Sequence, residues 1–91
     1  MYLDGDTIVV TSTPHFFAKE ISGEKPYTVR IVTETESERI LYRKPERIRI
    51  CEGGSGSDLC FERTITSLDK LGELLGFGLV GIAWDPAEGR K

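Results

Sequence analysis

Gly23-Glu24-Lys25-Pro26-Tyr27-Thr28-Val29-Arg30 is the stretch on which the organisation of the chain turns. Gly23 suits the left-handed residue that follows a helix, and Pro26 cannot continue one. Tyr27 to Thr33 is rich in β-branched and aromatic residues, which favour a strand. The stretch therefore closes a helix and opens a strand, with Lys25, Thr28 and Arg30 at the strand's mouth. Side chains alternate along a strand, so Val29 and Ile31 face one way while Thr28, Arg30 and Val32 face the other.

Upstream, Thr7-Ile8-Val9-Val10-Thr11 reads as a strand, and Thr13-Pro14 has the form of an N-cap followed by proline at the first helical position. The helix is expected from Pro14 to about Ser22, with Phe17 and Ile21 as a buried i, i+4 pair and Phe16 or Ala18 sharing that face. His15, the single histidine, falls at its second position on the surface.

Downstream, the polar Thr33 to Glu38 segment reads as a turn, Arg39 to Tyr42 as a returning strand and Pro45 as a break. Arg47-Ile48-Arg49-Ile50-Cys51 alternates as a half-exposed strand, isoleucines inward and arginines outward. Glu52 to Asp58 is glycine-rich and reads as a hairpin loop, followed by a strand from Leu59 to Ile65. Thr66-Ser67-Leu68-Asp69 has a capping-box form. It predicts a helix whose apolar face carries Leu68, Leu71, Leu74 and Leu75 and which Gly76 closes. Leu79 to Trp84 is a nearly continuous apolar run, read as a strand buried on both faces with Trp84 in the core. Asp85-Pro86 ends it, leaving residues 86–91 as a loose tail. The expected order is β-α-β-β-β-β-α-β in one α+β domain spanning residues 1–91, with a small bent antiparallel sheet or a partly open β-barrel flanked by two short helices.

A chain of 91 residues holds one core of two packed layers and has no room for a deep cleft. At 38% hydrophobic and 30% charged residues the composition is that of a folded globular protein, with no apolar run of the length a membrane helix needs. Without a basic, apolar leader the expected location is cytoplasmic. The Glu, Arg and Ile usage also suits a thermophile. A net charge of −3 argues against a dedicated duplex-DNA binder. Charge is nevertheless segregated. Residues 39–49 carry Arg39, Arg43, Lys44, Arg47 and Arg49 against Glu46, whereas residues 52–88 carry seven acids against Arg63 and Lys70.

Cys51 and Cys60 are either reduced core residues or cross-strand neighbours within disulfide reach. Zinc lacks the two further ligands it needs. The Gly53 to Ser57 loop has amides suited to an anion nest but lacks a Walker lysine and leads into a strand. Loop carboxylates give a separate possibility: Asp4, Asp6, Glu52 and Asp58, with Asp85 and Glu88, are oxygen ligands of the kind calcium takes.

Gly23-x-Lys25-x-x-Thr28-x-Arg30, with the helix Phe16-Phe17-Ala18-Lys19-Glu20-Ile21-Ser22 before it, resembles the signature of ASCH domains, a branch of the PUA-like β-barrel fold. The resemblance covers about residues 15–31, and Pro26 departs from it. It implies a cleft in which Lys25 and Thr28 accept a nucleobase or RNA, with Arg30 and the basic strand bearing Arg47 and Arg49 extending the surface; no cofactor is required. In the family's small amidohydrolases of acetylated cytidine the Lys, the Thr and a Glu are catalytic. Carried over, Lys25 is the base or electrostatic activator, Thr28 the nucleophile and Arg30 a phosphate-binding or orienting group, with Glu62 or Glu73 as the carboxylate. The alternative is structural: a helix-to-strand connection with exposed cations.

Overall fold

The computed structural model describes residues 1–53 and 59–87. In chain order it contains β1 (Tyr2–Asp4), β2 (Thr7–Ser12), α1 (Pro14–Ile21), β3 (Tyr27–Thr33), α2 (Glu34–Arg43), β4 (Arg47–Glu52), β5 (Cys60–Leu74) and β6 (Phe77–Trp84). The strands form one curled six-stranded sheet, a half-barrel ordered β1-β2-β4-β5-β6-β3. The α+β class with two helices is as expected, but the sheet is mixed and not antiparallel throughout, because β2 and β4 run parallel from Thr7↔Arg47 to Ser12↔Glu52. The chain reaches this pairing through α1, β3 and α2, a crossover of the kind that parallel neighbours require.

The early part follows the sequence reading, with one addition. A short β1, not anticipated, pairs with β2 around a turn in which Gly5 has φ +63°. In α1 proline sits in the first turn and Gly23 has φ +86°, as expected of a residue just past the helix end. The buried face differs. Phe17 is buried, but Ile21 is exposed and Glu20 takes the inward position.

The second helix lies elsewhere than expected. Residues 34–43 are helical, not a turn and a strand, and the local chemistry explains it. The Thr33 side chain caps the helix by accepting from the Glu36 N–H at 3.1 Å, and Glu34 and Glu36 occupy the first turn where acids favour the helix dipole. Arg43 sits in the last turn, and Lys44 closes the helix in the left-handed conformation at φ +47°. Only Ser37 and Ile40 are buried on α2, so its apolar signal is faint.

Residues 66–75 are correspondingly not a helix. They belong to β5, a 15-residue strand that pairs with β4 through Cys60–Thr64 and then with β6 through Ile65–Leu74. Register shifts between Ile65 and Ser67 and between Lys70 and Gly72 insert one extra residue each. Every such bulge slips the period-two alternation by one position. Leu68, opposite Ile82, thus packs on the core, while Leu71 and Leu74 lie on the outer surface. The leucine spacing imitates a helical stripe although the residues occupy two faces of a bent strand.

β6 is buried on one face, not both: Gly78, Val80, Ile82 and Trp84 point inward, while Phe77 and Leu79 are exposed. The core unites Ile8, Val10, Ile48 and Ile50 from one half of the sheet with Val32, Val80, Ile82 and Trp84 from the other, capped by Phe17 and Ile40. Cys51 and Cys60 oppose each other across β4 and β5 and are joined by a disulfide. The glycine-rich loop falls largely on residues 54–58 and the expected tail on residues 88–91, outside the described residues.

Candidate functional site

The turn after α1 is built from backbone donors. Ser22 N–H bonds the Ala18 carbonyl, Gly23 N–H that of Glu20, and Lys25 N–H that of Lys19 at 3.0 Å. Trp84 N–H then bonds the Pro26 carbonyl at 3.1 Å, fixing the start of β3 to the end of β6. The result is an open cleft of about 410 Å³ between the end of β2, α1 and β3, within the usual size of small-molecule sites. Lys25, Thr28 and Arg30 all line it, together with Ser12, Phe16 and Glu20.

Each side chain has a definite position. Lys25 Nζ lies 3.3 Å from Glu20 Oε2 and donates to the Tyr27 carbonyl at 2.8 Å. It also lies over the rings of Phe16 and Tyr27, 5.4 and 4.9 Å from their centroids. Thr28 is buried and accepts from Arg30 Nε at 3.1 Å. Arg30 Nη1 donates to the Thr11 carbonyl at 2.7 Å and Nη2 to Ser12 Oγ at 3.0 Å, so this side chain ties edge strand β3 to the end of β2. Burial lowers the Arg30 pKa, and the nearby Glu20 charge opposes that shift.

Glu20 is the residue the sequence reading missed. It is 1% exposed, and its Oε1 has no hydrogen-bond partner among the described residues. Its signal was available: Phe17 and Glu20 are an i, i+3 pair on one helix face, but Ile21 competes as the more natural apolar partner of Phe17.

The other candidates lie apart from this cleft. Arg47 and Arg49 are partly exposed on β4, where each pairs with Glu62, at 3.5 and 3.2 Å, and Arg49 also with Asp4 at 3.5 Å. The Glu62 hydrogen bond is the main cause of a raised Arg49 pKa. Glu73 pairs with Lys70 on β5, and neither Glu62 nor Glu73 lines the cleft. Among the expected calcium ligands, Asp4 faces Arg49, Asp6 Oδ1 accepts from Thr7, and Asp85 Oδ1 accepts from the Ala87 N–H. Asp58 and Glu88 lie outside the described residues. No group of three or more His, Cys, Asp or Glu side chains gathers among the described residues. No described helix is long and apolar enough to cross a membrane.

Comparison with protein-family models, curated proteins and solved structures found no match for this chain.

Proposed function

We propose that the cleft between α1 and β3 binds a nucleotide, free or as an exposed unit of single-stranded RNA, in the manner the ASCH/PUA resemblance implies. The observation that carries this reading is the convergence of Lys25, Thr28 and Arg30 on one nucleotide-sized cleft bordered by Phe16 and Tyr27. An aromatic ring offers a stacking surface to any base. An ammonium has three donors, and Lys25 uses two within the protein, leaving one for a phosphate or a base carbonyl. Glu20 Oε1 supplies an acceptor, which suits a base with an exocyclic amino group, since a carboxylate reads such a donor. Arg47 and Arg49, which share Glu62 and of which Arg49 also pairs with Asp4, contribute less than their sequence positions suggest.

The test is a titration with the four ribonucleoside monophosphates, followed by backbone amide shifts. The expected result is movement centred on residues 20 and 25–30, larger for cytidine, adenosine and guanosine monophosphates than for uridine monophosphate, whose base alone lacks an exocyclic amino group. Lys25→Gln, which keeps a donor for Glu20 but removes the charge, should weaken binding about tenfold. Unmoved amides in all four titrations would reject the reading.

A second reading, hydrolysis of a modified-nucleoside amide, is favoured by the buried Glu20 carboxylate beside Lys25 in the cleft that holds Thr28. It requires the Thr28 hydroxyl to attack the amide carbon, a base to take the hydroxyl proton and return it to the leaving amino nitrogen as the C–N bond breaks, and water to release the carboxylic acid from the acyl-threonine. The expected result is turnover of an acetylated cytidine that disappears in Thr28→Ala; no turnover by the wild type would exclude the reading, and turnover that survives the substitution would exclude Thr28 as its nucleophile.

A further inference from the structure

The three-stranded part of the sheet formed by β5, β6 and β3 has an outer face that nothing in the described chain covers. α2 packs on these strands, and the side chains that point the other way form apolar rungs. Ile31 stands beside Leu79, and Leu74 beside Phe77, while Val29 pairs with Gly81. Leu71, the extra residue of a bulge, lies across Gly81: a Cβ built there would meet Leu71 Cδ1 at 3.0 Å. The absence of a side chain at Gly81 thus lets a leucine lie flat on the sheet. Asp69 is the charged residue on these rungs, held at the β5 margin by Ser67.

The hairpin tip carries a second, independent sign. Leu75 and Gly76 form the two-residue connection between β5 and β6, and both have positive φ, +53° and +82°. Such a turn favours Asn, Asp or Gly at its first position, and leucine there is strained. Leu75 is also 88% exposed, so within one chain it gains nothing from burial to offset that strain.

We infer that this face is the interface of a homodimer, in which two copies stack the outer surfaces of their β5-β6-β3 sheets about a two-fold axis. Area and charge identify the occupant. Ile31 is 71% exposed and Leu74 likewise, with Val29, Leu71 and Phe77 all half exposed or more. At roughly 200 Å² per large apolar residue, these side chains with Leu75 present on the order of 800 Å², leaving aside Tyr27, whose ring lies against Lys25 in the cleft. That exceeds the roughly 300–600 Å² of the largest patch on a typical monomer and matches the approximately 800 Å² per partner of a standard interface. A nearly uncharged patch meets its own copy without like-charge repulsion, whereas a charged partner would find no complement on it. Tyr27 and Val29 also line the cleft, so the second copy borders its mouth.

The experiment is sedimentation of the whole chain over a wide concentration range, for the wild type, Ile31→Glu and Leu79→Glu, with circular dichroism to report folding. The expected result is a wild-type mass of two chains and single-chain masses for both variants with unchanged spectra. Ile31→Thr, which keeps a β-branched strand residue, covers the case in which a buried charge disturbs folding; it should raise the dimer dissociation constant on the order of tenfold. A single-chain mass for the wild type up to millimolar concentration overturns the inference and leaves the face to a partner of different sequence. A dimer that persists in all variants overturns it as well. None of these outcomes depends on whether the cleft binds a nucleotide.

Discussion

Lys25 Nζ sits 3.3 Å from Glu20 Oε2, and the two residues differ sharply in burial: the Glu20 side chain is enclosed at 1% exposure while the Lys25 side chain remains 23% exposed. The lysine therefore compensates a charge that water does not reach. Removing it by Lys25→Ala leaves the buried carboxylate without its ion-pair partner and with only the more distant Arg30 charge, a change that costs about 3 kcal/mol where partners are fully buried and less where one is partly solvated. A loss of roughly 2 kcal/mol in urea unfolding is expected, and the double variant Glu20→Gln/Lys25→Ala should regain most of it. Equal stability of Lys25→Ala and wild type would show that the pair contributes nothing.

Gly78 and Ser37 define how closely α2 approaches β6. A Cβ at position 78 would lie 2.7 Å from Ser37 Oγ and 2.9 Å from Ser37 Cβ, and Ser37 is held in place by a 2.7 Å bond to the Glu34 carbonyl. Gly78→Ala must therefore displace the helix. The expected cost is about 1–3 kcal/mol, the usual range for overpacking, read as a lowered melting temperature. An unchanged melt would mean that α2 is loosely seated.

Parts of this arrangement were legible in the sequence and parts were not, for identifiable reasons. The turn at Gly23 to Arg30 was legible because glycine, proline and a β-branched run all act locally. The isoleucines of β4 were legible because alternation there is unbroken. α2 was not, because it buries only Ser37 and Ile40 and its evidence is a cap: Thr33 followed by Glu36. β5 misled because two bulges disrupt its alternation, and leucines on opposite faces then fall at helical spacing. For the cleft, Lys25, Thr28 and Arg30 came from one contiguous stretch. Glu20 and Ser12 join them only through the folded geometry of α1 and β2.

The disulfide between Cys51 and Cys60 closes a loop with a sequence separation of 9 and ties the ends of β4 and β5. A loop of that length corresponds to about 2–3 kcal/mol of stabilisation by the chain-entropy estimate. Reduction by dithiothreitol should lower stability by that amount, and Cys51→Ser/Cys60→Ser should match the reduced wild type. Identical melts with and without reductant would remove the claim. Such bonds persist in oxidising compartments and inside hyperthermophiles.

Lys70 and Glu73 form an exposed pair on β5 whose pKa values move in opposite directions. The hydrogen bond from Lys70 lowers the Glu73 pKa, and the same bond raises that of Lys70. A lowered carboxylate pKa contributes stability above the ordinary carboxylate range and loses it as pH falls through the folded value. A raised lysine pKa contributes stability below the ordinary lysine range and loses it as pH rises through the folded value. Any stabilisation is therefore confined to the window between them. Glu73→Gln should melt slightly below wild type at neutral pH and converge with it in acid. It should leave nucleotide titrations unchanged, because Glu73 does not line the cleft. A loss of nucleotide binding in this variant would return Glu73 to the site.

Leu75 separates the stability of one chain from that of the dimer. At φ +53° with its side chain in solvent, leucine is a poor choice for the β5-β6 turn, and asparagine in the same position tolerates the backbone at lower cost. Leu75→Asn should therefore stabilise the monomer by about 0.5–1 kcal/mol through relief of turn strain. If the outer sheet face is a dimer interface, the same substitution removes an apolar contact and weakens association. The two effects have opposite sign, and urea unfolding at low protein concentration and sedimentation at high concentration read them separately. Stabilisation with unchanged association would mean that Leu75 lies outside the interface. Destabilisation at low concentration would mean that leucine makes intramolecular contacts at the hairpin tip, which would remove the turn argument for the dimer.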